Sequence, residues 1–228
     1  MKKITIAIDG FSSTGKSTLA KQLAKYLGYV FVDTGAMYRA IALFALKNKF
    51  ISNDSFNKEL LINSLDSIKL SFQFNPKLGF SEMYLNDKNV ETEIRTLEVS
   101  GFVSKIAEIS EVRTKLVEQQ QQIGKNKAIV MDGRDIGTVV FPDAELKIFM
   151  NASLEVKAQR RFDELTLKGD KVTFDEILEN VKERDYIDTH REDSPLVKAI
   201  DAIEIDNSKL TREQQFEKVL ELVNNILK

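Results

Sequence analysis

Residues 3–28 read KITIAIDGFSSTGKSTLAKQLAKYLG, and the small residues in the middle of that stretch decide the fold. Residues 3–8 form a short run with β-branched residues, as a buried strand does. From Lys16 onward, Leu19, Leu23 and Leu27 recur at helical spacing. Between the two, Gly10-Phe11-Ser12-Ser13-Thr14-Gly15-Lys16-Ser17 satisfies G-x-x-x-x-G-K-[ST] at every fixed position. Glycines at both ends let the backbone turn sharply and bring its N–H groups against phosphate oxygens. The helix that follows points its positive N-terminal end at the same anion. Lys16 would neutralise charge on the β- and γ-phosphates, and the Ser17 hydroxyl would ligate Mg²⁺. A plain Gly/Ser-rich turn needs neither the strand before it nor the helix after it. The stretch reads as a P-loop, with a nucleoside triphosphate as its ligand.

The rest of the composition sets bounds on that reading. A chain of 228 residues allows one large domain, or a core with a small insertion. At that size roughly 70% of the unfolded surface can be buried, so a true core is available. The net charge of −2 gives no general attraction to nucleic acid or to an anionic membrane. Cysteine is absent, which excludes disulfides and thiolate metal sites and suits a reducing cytoplasm. The N-terminus lacks a basic-then-apolar targeting pattern, and no apolar run approaches the ~18 residues of a membrane span. The chain therefore reads as soluble and cytoplasmic. His190 is the only histidine, which removes His-rich metal sites, and its charged surroundings read as a solvated helix position.

Four more short apolar runs follow the first: YVFVDTG at 29–35, AIVMDG at 128–133, LKIFMN at 146–151 and AIEIDN at 202–207. Each lies close to a helical segment. That alternation predicts an α/β fold, a doubly wound five-stranded parallel sheet flanked by helices, with ligands at the strands' C-terminal ends. Two runs end in Asp33-Thr34-Gly35 and Asp132-Gly133-Arg134, where polar residues are candidates for chemistry. Residues 68–90 break the alternation: KLSFQF, the turn NPKLG and SEMYLND predict a small antiparallel insertion. Helices are expected from about 93 to 124, and two long ones near 153–168 and 174–192, separated by the hinge-like LKGDKVT.

A P-loop is shared by switches, transport ATPases and kinases, and the arginines narrow the choice. Arg39 lies one helical turn after the second strand, Arg134 follows the third, and Arg160 and Arg161 sit on the first late helix. Arg184, Asp188 and Arg191 are spaced i, i+4, i+7, one helical face. A solvated ion-pair stripe would use the same spacing. Arginines close to several strand ends point instead to a second anionic ligand beside the transferring phosphoryl group.

The stretches IAIDGFSSTGKST, VDTGAMYRA, EIRT, DGRDIGTVVFPDA and KERDYIDTHREDSPL resemble the bacterial cytidylate kinase family, in order and along nearly the whole chain. DGRDIGTVVFP is the most distinctive of them. The resemblance implies transfer of the ATP γ-phosphoryl group to CMP or dCMP, with Mg²⁺, by a monomer. It divides the chain into a P-loop kinase core at 1–60 and 100–228, a helical lid at about 155–172, and a monophosphate-binding insertion at about 61–99. It gives ATP to Gly10, Phe11, Ser12, Ser13, Thr14, Gly15, Lys16, Ser17 and Thr18. It gives the acceptor's phosphate to Thr34, Arg39 and Arg134, the cytosine to Ser104, Arg113, Asp135 and Arg191, and the ribose to Arg184 and Asp188. Lys16, Arg134, Arg160 and Arg161 then serve the transferring phosphoryl group. Thr34 stands where serine is often found, and Ser17 where some relatives have glycine. Arg95, in EIRT, reads equally as a ligand contact or as a tie between the insertion and the next helix.

Two rival readings share part of this pattern. Another small-molecule P-loop kinase, acting on dTMP or a shikimate-like acid, would share the loop and the arginines but lack DGRDIGTVVFP with a long antiparallel insertion. A nucleotide-dependent switch would carry a guanine-reading NKxD after a late strand, where this chain has IFMNAS.

Overall fold

The computed structural model describes residues 2–228. The chain begins with strand β1 (Thr5–Gly10), helix α1 (Lys16–Leu27), strand β2 (Val30–Asp33), helix α2 (Thr34–Lys47) and the short helix α3 (Lys58–Asn63). Strands β3 (Leu70–Asn75), β4 (Phe80–Leu85) and β5 (Lys88–Asn89) follow, then helices α4 (Leu97–Ala107) and α5 (Ser110–Gly124). The second half contains β6 (Ile129–Asp132), β7 (Leu146–Asn151), α6 (Leu154–Leu167), α7 (Phe174–His190), β8 (Ile203–Asp206) and α8 (Arg212–Leu227). A five-stranded sheet runs in the order β2-β6-β1-β7-β8, and a separate three-stranded sheet in the order β3-β4-β5. The chain divides into two compact units, residues 1–30 with 126–228, and residues 31–125.

In the first unit β1 is the central strand, parallel to β6 on one side and to β7 on the other, with β8 parallel beyond β7. Every residue of β1 is buried, which explains its near-continuous apolar run: a parallel strand is covered on both faces. The strand order reverses at β1, so its C-terminal end opens onto the switch point where doubly wound sheets take ligands. Gly10 occupies that end because nothing larger fits. A Cβ there would lie 2.0 Å from the Met150 carbonyl oxygen of β7. Helix α1 buries Leu19, Ala20, Leu23 and Ala24, and Gly28 closes it in the left-handed conformation, its N–H donating to the Ala24 carbonyl.

DGRDIGTVVFP forms a single π-helical stretch at Ile136–Val140, a conformation that no periodicity in the motif predicts. The Asp9 carboxylate caps it, accepting from the N–H groups of Ile136 at 2.8 Å and Gly137 at 2.7 Å. The capping box of Thr173 with Glu176 starts α7 after the expected hinge. Helix α7 ends at His190, one residue short of Arg191, whose backbone is extended.

In the second unit the strand expected over 29–35 stops at Asp33, and Thr34 is already helical. The cause is local: Asp33 Oδ1 accepts from the Ala36 N–H at 2.9 Å and so caps α2. The expected antiparallel insertion is present, with Leu70 opposite Leu85 and Phe72 opposite Met83. Met37, Ile41, Leu61, Met83, Ile94, Ile106 and Leu116 form this unit's own core. The helical stretch after residue 93 is a short turn at Glu93–Arg95 followed by α4 and α5, broken at Glu108–Ile109. Among the described residues no helix is long and apolar enough to cross a membrane.

Candidate active site

The phosphate loop leaves β1 at Gly10 and enters α1 at Lys16. Gly15 holds the left-handed φ of 87° that this entry demands, a conformation glycine adopts without a Cβ penalty. Thr14 is buried and its Oγ1 donates to the Phe11 carbonyl at 2.9 Å. Lys16 is buried too, its Nζ donating to that same carbonyl. Burial and the neighbouring Arg134 guanidinium hold the Lys16 ammonium well below the usual lysine range, against the pull of Asp132, Asp188 and Asp9. The Phe11 ring meets Phe149 edge to face, and Lys157 Nζ lies 4.4 Å from its centroid.

Ser17 Oγ donates to Asp132 Oδ2 at 2.5 Å, across 115 positions of sequence. Asp132 is the last residue of β6, and β6 is the neighbour of β1, so the strand order alone brings this carboxylate to the loop. Asp9 is buried. Burial pushes its carboxyl up to about 6, with Asp135 adding to the rise, while the N–H groups of Gly137 and Ile136 and the Lys16 charge oppose it.

Beyond β6, Arg134 Nε donates to Asp188 Oδ2 at 2.7 Å. Burial alone would raise the Asp188 carboxyl, but Arg134, then Arg184 and Arg191, hold it below the usual carboxylate range. Asp188 is thus surrounded by three guanidinium charges, as the sequence spacing suggests, although Arg191 reaches it from just past the helix rather than along one helical face. Arg191 itself donates from Nε and Nη2 to the Ser194 carbonyl, at 2.8 and 2.6 Å. Asp135 is buried, and its charge acts on Asp9. Arg160 forks onto Asn207, Nη1 to Oδ1 and Nη2 to the backbone carbonyl, both at 3.0 Å. Arg161 pairs with Glu164 on its own helix at 3.0 Å. His190 is exposed at the end of α7 and stacks on Tyr186, as a solvated histidine does.

The second unit carries the remaining candidates. Thr34 is buried in the first turn of α2. Asp33 Oδ2 accepts from Arg39 Nη2 at 2.9 Å and from Arg95 Nη2 at 3.1 Å, and Arg95 also pairs with Glu91. Burial works to raise the Asp33 carboxyl, yet the two arginines hold it well below the usual range. Arg95 therefore acts as a tie, joining the end of β2 to the turn before α4. Ser104 is buried on α4. Arg113 is 2% exposed, with Nη1 donating to the Ala107 carbonyl at 3.1 Å and the guanidinium 5.8 Å from the Tyr38 ring centroid.

Asp33 and Asp132 stand out in the sequence only as polar run ends with no assigned role, and Asp9, Lys157 and Asn207 are not marked by it as candidates. Asp132 had a signal, a carboxylate at the end of an apolar run. Asn207 had only its place at the end of the last run, and Lys157 had none. Among the described residues no group of three or more His, Cys, Asp or Glu side chains could hold a metal ion.

Residues 6–225 match the family model for cytidylate kinase. The chain is 74% identical to the cytidylate kinase of Flavobacterium psychrophilum, over 99% of this chain and 100% of that one. It is 56% identical to the cytidylate kinase of Bacteroides thetaiotaomicron, with both chains covered in full. Among solved structures, an uncharacterised protein from Eubacterium ventriosum superposes with a TM-score of 0.52 at 11% identity, over 98% of this chain and 99% of that one. That likeness speaks to the fold alone.

Proposed function

Because the chain belongs to the cytidylate kinase family, we propose that it transfers the γ-phosphoryl group of ATP to CMP or dCMP, giving ADP and CDP or dCDP. An oxygen of the acceptor phosphate forms the new bond to the γ-phosphorus as the bond to the β-phosphate oxygen breaks. The observation that carries the reading is the grouping in the first unit. A P-loop lysine and the Ser17–Asp132 pair lie where the neighbouring strands β1 and β6 end, and Arg134, two residues past β6, pairs with Asp188 of α7. Phosphoryl transfer asks a protein for positioning and charge neutralisation and little covalent chemistry, and these groups supply both.

In this reading Gly10 to Thr18 cradle ATP, and the negative charge of the polyphosphate favours the ammonium form of Lys16. The Mg²⁺ that accompanies ATP favours hard oxygen donors and retains waters and phosphate oxygens in its shell. A hydroxyl and a carboxylate 2.5 Å apart, Ser17 with Asp132, fit that preference without a denser acidic cluster. Bound there, the ion would neutralise charge on the β- and γ-phosphates. Thr34, Arg39 and Arg134 take the acceptor phosphate. Ser104, Arg113, Asp135 and Arg191 take the cytosine, and Arg184 and Asp188 the ribose. Arg160 and Arg161 belong to a lid, about residues 155–172, that closes on the nucleotides and excludes water. We place the enzyme in the cytoplasm as a monomer, the antiparallel region at about 61–99 serving monophosphate binding.

A coupled assay with ATP and a panel of CMP, dCMP, UMP, dTMP and shikimate tests the assignment. Cytidine monophosphates should be the best acceptors by kcat/KM. Preference for dTMP or shikimate would overturn the reading, as would nucleotide binding with no transfer to any acceptor.

A further inference from the structure

Asn207 follows β8 and is 2% exposed, yet it has no place in the reading above. Its Nδ2 donates to the Thr14 carbonyl at 2.6 Å and to Gln215 Oε1 of α8. Its Oδ1 accepts from Arg160 Nη1, and its backbone carbonyl from Arg160 Nη2. Its own N–H donates to the Asn151 carbonyl at 2.9 Å. The direction of the side-chain amide is therefore forced. A guanidinium can only donate and a carbonyl can only accept, so oxygen must face Arg160 and nitrogen must face Thr14.

The Thr14 carbonyl belongs to the same planar, trans peptide as the Gly15 N–H, and the two point in opposite directions. Holding the carbonyl toward Asn207 turns the Gly15 N–H the other way, into the concavity where backbone donors meet an anion. Gly15 holds this direction poorly unaided, because it lacks a Cβ and sits at positive φ. An external hydrogen bond removes that freedom before the anion arrives.

We propose that Asn207 is a positioning residue for phosphoryl transfer, setting the Thr14–Gly15 peptide of the phosphate loop and tying that setting to α6 through Arg160. The inference rests on the reading of the loop as the ATP site. Asn207→Asp separates its two functions. The carboxylate still accepts from Arg160 but cannot donate to Thr14, and it faces that carbonyl with a second acceptor. The KM for ATP and the Kd for ADP should rise roughly tenfold or more, the loss expected when a buried hydrogen bond is replaced by an unsatisfied contact. The KM for CMP and the CMP:UMP ratio should stay at wild-type values. Asn207→Ala removes the donor without adding repulsion, should show the same ATP-selective loss to a smaller extent, and carries the test if the aspartate variant does not fold. Gln215→Leu removes only the arm to α8 and should leave both substrates' constants unchanged.

Wild-type constants for ATP in both Asn207 variants would overturn the proposal. So would equal losses for ATP and CMP, or a Gln215→Leu defect as large as that of Asn207→Asp, since each would mean that the network only supports the fold. If Lys16→Ala also left ATP use untouched, the donor-site reading itself would fall. A crippled Lys16 variant beside a normal Asn207→Asp would remove the Asn207 role alone.

Discussion

Arg134 and Asp188 are joined by a 2.7 Å hydrogen bond between Nε and Oδ2, linking the segment after β6 to the last turns of α7. Asp188 is buried, so its charge is held in place by this pair and by the nearby Arg184 and Arg191. Breaking a buried pair by deleting one partner costs about 3–5 kcal/mol, because the other charge is left uncompensated. Asp188→Ala would confound stability with binding, and Asp188→Asn is the cleaner change. It keeps an acceptor for Arg134 and removes the charge. We expect kcat/KM for CMP to fall about tenfold, with the KM for ATP unchanged. Equal losses for the two substrates would indicate general loosening rather than a ribose contact.

Lys16→Ala should remove most turnover and leave CMP binding intact, because the lysine addresses donor phosphates from within the loop. Loss of one charge-stabilising donor in such a site costs ~3 kcal/mol, about a hundredfold in kcat. Steady-state kinetics with a separate titration of CMP checks both halves. A variant with wild-type kcat would refute the P-loop assignment.

The Ser17–Asp132 pair predicts a defect specific to Mg²⁺. Ser17→Ala and Asp132→Asn should each raise the half-saturating Mg²⁺ concentration, by roughly 10–100-fold as for other groups that orient a bound metal. Excess Mg²⁺ should recover part of kcat in the serine variant. The double variant should lose less than the sum of the two, because the groups act together. Lower kcat at an unchanged Mg²⁺ requirement would exclude them as metal-site residues.

Arg113 is enclosed between the Ala107 carbonyl and the Tyr38 ring, so its guanidinium is held in one orientation. A guanidinium only donates, whereas cytosine offers acceptors at O2 and N3 and uracil a donor at N3. Arg113→Met should therefore lower the CMP:UMP ratio of kcat/KM, by about tenfold on the scale of a good base contact. A variant that loses stability but keeps the ratio would make Arg113 a packing residue only.

The carboxyl of Asp9, raised to about 6 from an ordinary 3.8, predicts a pH dependence of stability with a definite sign. Between those values the folded chain binds more protons than the unfolded one, so this group's contribution falls as pH rises. The full change is about 3 kcal/mol, complete above pH ~6. Asp33 and Asp188 are held low and work the other way, losing their contribution as pH falls below the ordinary carboxylate range. Denaturant unfolding of the wild type and Asp9→Asn at pH 4 and pH 7 isolates the Asp9 share. The variant should gain on the wild type as pH rises, and a constant difference would contradict the assignment.

The stretch 3–28 was enough to announce strand, phosphate loop and helix, because glycine spacing and apolar periodicity are properties of neighbouring residues. The β6 and β7 runs, the antiparallel hairpin and the two late helices were legible for the same reason, within a residue or two at their ends. Arg134, Arg184, Asp188 and Arg191 could be recognised as a group from spacing and motif. Partner choice could not. Asp132 comes to Ser17 across 115 positions because β6 lies beside β1, and Asn207 comes to Thr14 across 193 because β8 ends on the same side of the sheet. Carboxylates, amides and guanidiniums are chemically alike wherever they stand in the chain. Which one meets which, and which carboxyl is raised or lowered as a result, is decided by strand order and burial, and both exist only once the sheet has formed.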